Sequence, residues 1–95
     1  MTPRAAKRII QAAGARGFDA VEFTLHAARE SMIDDGLTAH DVFHLLEHAD
    51  EVARQPGETE KWKVYGPVLA GEQFAAVVVL VEAERVRVVT VHLPP

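Results

Sequence analysis

The sequence predicts an α+β domain in which helices from the N-terminal half pack on an antiparallel sheet formed by the C-terminal half. Three observations carry that expectation. Apolar residues recur at helical intervals up to about Ala49, the period changes to two at Lys61, and a valine-rich run, Gln73 to Glu82, is followed closely by a second strand-like segment, Arg85 to Leu93. The 95 residues suffice for one modest core and are too few for two. With 48% apolar and 25% charged residues, the composition is that of a folding chain rather than a disordered one. One domain over residues 1–95 is expected, with about three helices and three to four strands.

The first helix follows from Thr2 as its cap, Pro3 at its first position and the stripe Ala6, Ile9, Ile10 and Ala13, with Gly14 and Gly17 closing it. Ala20 to Thr24 reads as a short extended segment. A second helix is expected from about Leu25 to Asp35, with Leu25, Ala28 and Met32 on one stripe and Gly36 as its stop. Thr38 and Asp41 resemble a capping box for a third helix, whose apolar stripe is Val42, Leu45, Leu46 and Ala49. Asp50 to Arg54 reads as a short edge strand, and Gln55 to Glu60 as a loop. From Lys61, residues Trp62, Val64 and Gly66 alternate with Lys61, Lys63 and Tyr65, as in a half-buried strand. The valine run reads as a central strand covered on both faces. Ala83 and Glu84 then give a two-residue hairpin or a slightly longer one. Phe18, Phe23, Phe43, Trp62 and Phe74 are expected in the core.

The chain contains no cysteine, which excludes disulfides, thiolate metal sites and a cysteine nucleophile, and makes the cytoplasm the expected location. Its longest apolar run, Phe74 to Val81, spans eight residues, far short of a membrane helix, so no membrane association is expected. The net charge of −4 is unevenly spread: Arg4, Lys7, Arg8 and Arg16 precede the first acid, Asp19. Most of the remaining surface repels phosphate, so any RNA contact must be local. No phosphate-binding glycine loop or nucleophile elbow is present, and no cofactor is expected.

Two constellations can carry chemistry. Lys61, Lys63, Arg85 and Arg87 alternate on two predicted strands; if their faces coincide, they form a basic patch of the kind that stabilises charge developing on a phosphate. His26 and His92 are the candidates for an acid/base pair beside it, since histidine as a residue type titrates near neutral pH. His40, His44 and His48 recur every fourth residue on the third helix, where neighbouring pairs can share a metal ion; a solvated polar face is the ordinary reading of such a pattern.

Several phrases resemble a bacterial family known as domain of unknown function 4258, related to the MqsR and RelE toxin fold. They are FTLHA (Phe23 to Ala27), MIDDGLT with DV (Met32 to Thr38, then Asp41 and Val42), YGPVLAGE (Tyr65 to Glu72), VVVLVE and VVTVH. The resemblance covers roughly residues 21–93 as a toxin-like core and leaves residues 1–17 as an additional helix. It implies helices packed on a curved antiparallel sheet, RelE/MqsR-like, and a metal-independent ribonuclease that cuts messenger RNA and is held in check by an antitoxin. His26 stands at the family's histidine and Arg29 near its arginine, so Arg29 joins Lys61, Lys63, Arg85 and Arg87 as an expected RNA-binding residue, with His26 and His92 catalytic. Ser31 stands where the family commonly has arginine, and Asp35 where it often has a basic residue. The alternative expectation is an inactive relative that works as a protein-binding module, with an antitoxin, another protein or a second copy as partner.

Overall fold

A computed structural model describes residues 1–57 and 59–94. Glu58, within the predicted Gln55–Glu60 loop, and Pro95, at the end of the predicted domain, lie outside the described residues. The class is α+β: helices lie on one face of a five-stranded sheet of order β1-β5-β4-β3-β2. The strands are β1 (Val21–Phe23), β2 (Glu51–Arg54), β3 (Lys61–Pro67), β4 (Gln73–Val81) and β5 (Arg85–His92). Neighbouring strands from β2 to β5 pair antiparallel, whereas β1 runs parallel to β5. The sheet is therefore mixed and has five strands rather than three or four. The two short outer segments owe their place to pairing with longer neighbours, which sequence periodicity does not reveal.

Helix α1 (Pro3–Arg16) starts where the Thr2 hydroxyl accepts the Ala5 N–H at 3.1 Å, and ends at Gly17, whose φ of 62° few other residues adopt. It buries Ala6, Ile10 and Ala13 against the sheet and against α3 (Ala39–Glu47), so this N-terminal helix is an integral part of the core. Gly14 does not terminate α1; it lies inside the helix, at the crossing with α3. Helix α3 has the capping box expected of it, Thr38 and Asp41 each accepting the other's backbone N–H, and buries Val42, Phe43, Leu45 and Leu46. Burying aliphatic side chains of this size stabilises by roughly 1.5–3 kcal/mol each relative to exposure.

Between β1 and α3 lies α2, a π-helical turn (Ala27–Ser31) continued by an α turn (Met32–Asp34). The widened turn changes which side chains face inward. Ala27, Ser31 and Met32 are buried, whereas Leu25 and Ala28, expected on the inner stripe, are exposed. Thr24 makes this junction. Its N–H donates to Val88 O, its hydroxyl donates to Val89 O, and the same hydroxyl accepts the Ala27 N–H at 3.1 Å. Val89 is the extra residue of a bulge, for Val78 pairs with Val88 while Val77 pairs with Thr90. Beyond β1, the Val91 N–H donates to the buried Ser31 hydroxyl, so α2 closes part of the β5 edge that β1 leaves unpaired.

Trp62, Val64, Phe74, Ala76, Val78, Val86, Val88 and Val91 form the sheet's buried face. β4 is central but covered on one side only: Val77, Val79 and Val81 are partly exposed on the other. The turn after it contains three residues, Glu82–Glu84, with Ala83 at φ 59° and Glu84 at φ 57°. Phe18 is 65% exposed and lies outside the core, edge-on to Phe43. No helix among the described residues is long and apolar enough to cross a membrane.

Candidate functional site

The strand register decides whether the basic residues meet. Lys61 pairs with Val79 and Val79 with Arg87; Lys63 pairs with Val77 and Val77 with Thr90; Tyr65 pairs with Ala75 and Ala75 with His92. Because side chains alternate along each strand, these three rows, with Arg85 opposite Val81, point to the face away from the helices. Lys61, Lys63, Arg85, Arg87 and His92 therefore share one sheet face. A strip of valine about two strand spacings wide, roughly 10 Å, separates the lysines from the arginines.

The two halves of the patch differ electrostatically. Glu22 of β1 pairs with Arg87 and holds it by a 2.9 Å hydrogen bond from Nε, with Arg85 Nη2 3.7 Å from the same carboxylate. Lys61 and Lys63 have no ion-pair partner among the described residues, and Lys63 Nζ lies 5.6 Å from the centre of the Tyr65 ring. The lysines are thus not tied up in ion pairs among the described residues, with Tyr65 as a half-buried aromatic surface beside them and the exposed Glu51 of β2 opposite Tyr65 on the same face.

Arg29 belongs to α2 instead, and His26 stands at its N-terminal cap. His26 Nδ1 lies 2.7 Å from Glu30 Oε2, an exposed pair one helical turn apart. The Thr24 and Ser31 bonds bind this element along β5, the strand that ends in His92, so the two histidines belong to neighbouring elements. No hydrogen bond joins them among the described residues.

His40 and His44 of α3 and His48 at its C-terminal cap face different surroundings. His40 packs edge-on to Phe18 and Phe43. His44 donates from Nδ1 to Pro67 O at 2.9 Å, which leaves Nε2 of the neutral ring as an acceptor. His48 Nε2 lies 3.7 Å from Glu47 Oε1. Among the described residues no three His, Asp or Glu side chains come together in a way that holds a metal ion, so the fourfold spacing does not translate into the metal site considered above. The His44 and His48 rings lie 4.3 Å apart between centres and tilted by 40°, a side-by-side arrangement along the helix. Beside them a cleft of about 430 Å³ opens between the end of α1 and α3, lined by Arg16, Phe18, His40, Phe43, His44 and Glu47 among others. The sequence pattern singled out two of these histidines but not the cleft, because it depends on how two helices cross.

Asp41 accepts the N–H of Leu69, one of the residues that line this cleft. Its carboxyl is held below its ordinary value of 3.8, chiefly by the hydrogen bond from the Thr38 backbone, with further bonds from the Thr38 hydroxyl and the Leu69 N–H.

The fold and face define an α+β domain with one uncovered, locally basic sheet surface. Compared with known protein families, with curated proteins and with solved structures, the chain gives no match.

Proposed function

We propose that this chain is a toxin-like, metal-independent endoribonuclease of the RelE/MqsR type, which draws single-stranded RNA across the uncovered face of its sheet. The observation that supports it best is the register that gathers Lys61, Lys63, Arg85, Arg87 and His92 on that one face. A phosphate seated over β4, between the lysines of β3 and His92 of β5, has cations to offset its charge and Tyr65 as a surface for an adjoining base. In the reaction, a base removes the proton of the 2′-hydroxyl and that oxygen attacks phosphorus. The bond to the 5′-oxygen then breaks as an acid delivers a proton to it, leaving a 2′,3′-cyclic phosphate. His92 is the acid/base group on the face, His26 at the cap of the adjoining α2 is its proposed counterpart, and Arg29 a further phosphate contact.

The test is cleavage of a long single-stranded RNA by purified protein with EDTA present. His92→Ala is expected to lower the rate by about 10²–10⁴-fold, as loss of a general acid or base does. A double Lys61→Ala, Lys63→Ala variant is expected to weaken RNA binding. Absence of cleavage by folded wild-type protein overturns the nuclease reading.

A second reading, a catalytically inactive protein-binding module, is favoured by two particular features. Glu22 occupies both arginines, and Val77, Val79 and Val81 leave apolar surface between the two basic rims. An acidic amphipathic segment, such as an antitoxin would offer, complements such a face. Protein that binds such a segment and cuts no RNA would support this second reading.

A further inference from the structure

The cleft between α1 and α3 lies on the helical side of the molecule and takes no part in the reading above. Its lining combines features that have no evident packing role. Phe18, an aromatic residue expected in the core, is 65% exposed, yet its ring is fixed at right angles to Phe43 at 4.8 Å and to His40 at 6.1 Å. That leaves an aromatic surface held in place and open to solvent. In the same lining, the bond from His44 Nδ1 to Pro67 O fixes the ring and leaves Nε2 to accept a hydrogen bond, and Glu47, with one carboxylate oxygen 3.7 Å from His48 Nε2, supplies a second acceptor. Arg16, in the last turn of α1, has no ion-pair partner among the described residues, and its long stem lets the guanidinium meet an anion away from the helix end.

We propose that this cleft binds a purine nucleoside monophosphate, its base stacked on the exposed face of Phe18 with His40 edge-on beside it, its amino group donating to Glu47 or to His44 Nε2, and its phosphate paired with Arg16. The complement is specific in kind: a flat ring for the aromatic surface, donors for two acceptors, and one anionic group for one cation. A volume of about 430 Å³ falls within the range of small-molecule sites, roughly 300–1,000 Å³, and suits one nucleotide rather than a folded partner.

Titration of the isotopically labelled full chain with AMP, followed by amide chemical shifts, tests this. AMP is expected to move the resonances of Arg16 to Phe18, His40 and His44, while adenosine and ribose 5-phosphate each bind about tenfold more weakly or worse. Phe18→Ala and Arg16→Gln change exposed side chains and so leave the fold intact, and each is expected to weaken AMP binding by about tenfold. The proposal is overturned if millimolar AMP leaves the cleft resonances unmoved. It is equally overturned if ribose 5-phosphate matches AMP, or if the shifts map to Lys61 and Lys63 on the sheet. None of these readouts depends on RNA cleavage, so the nuclease reading stands or falls separately.

Discussion

At position 14 a side chain has no room. A Cβ built on Gly14 would lie 2.5 Å from the Glu47 backbone nitrogen and 2.8 Å from Phe43 O, and one on Gly66 would lie 2.5 Å from Leu45 O. α3 is therefore held between two backbones, α1 on one side and β3 on the other, each admitting it through a missing side chain. Gly14→Ala and Gly66→Ala are each expected to destabilise by about 1–3 kcal/mol, the usual range for overpacking, because the obstructing atoms are backbone and cannot rotate away. Urea denaturation checks this through a lowered midpoint with an unchanged slope; a midpoint equal to wild type in both variants would show that α3 shifts without cost. Read as sequence, Gly14 looked like a helix terminator, since a glycine that ends a helix and one that lets two helices touch leave the same trace in one dimension. Ser31 is a comparable case: its hydroxyl receives the Val91 N–H 60 positions away, and nothing local announces the partner.

The elements that were legible are those with their own punctuation. Thr2 with Pro3 and Thr38 with Asp41 mark helix starts by local hydrogen bonds, and both form as expected. The valine run of β4 was legible as a central strand, but its coverage was not. Alternation tells one face from the other, and a run of valine has none, so the exposure of Val77, Val79 and Val81 had no signal. Likewise α2 was legible as a helix while its inner face was not, because the π turn rotates the stripe.

The α3 cap also predicts how stability responds to acid. The folded state holds the Asp41 carboxyl below 3.8, so its contribution is fully present above that value and is lost as the pH falls through it towards the lower folded value. Thr38→Ala is expected to cost about 1 kcal/mol at neutral pH. Asp41→Asn is expected to lower stability at neutral pH and to flatten its decline below pH 4, measured by thermal unfolding across the acid range. An acid limb as steep as wild type in Asp41→Asn would assign that decline to other carboxylates.

At the scale of the molecule, the −4 net charge and the basic sheet face make opposite demands on a polyanion. The long-range field repels RNA, and physiological salt screens it within about 8 Å, so association of the proposed kind would depend on the cations that reach the phosphates directly. Under that proposal Glu22 sets how many do so, since it pairs with Arg85 and Arg87 and leaves Lys61 and Lys63 without such a partner among the described residues. Single-stranded binding falls with salt with a logarithmic slope of about −0.7 per phosphate neutralised. If the lysines alone engage, the slope is expected to be about −1.4; if RNA displaces Glu22 and recruits both arginines, about −2.8. Glu22→Gln should therefore steepen the slope towards the larger figure and strengthen binding at low salt, whereas Lys61→Gln should lower its magnitude by about 0.7. Fluorescence anisotropy of a labelled RNA over a salt series measures all three. A slope indifferent to Glu22 and to Lys61 alike would remove the sheet face from RNA binding, whatever the protein's activity.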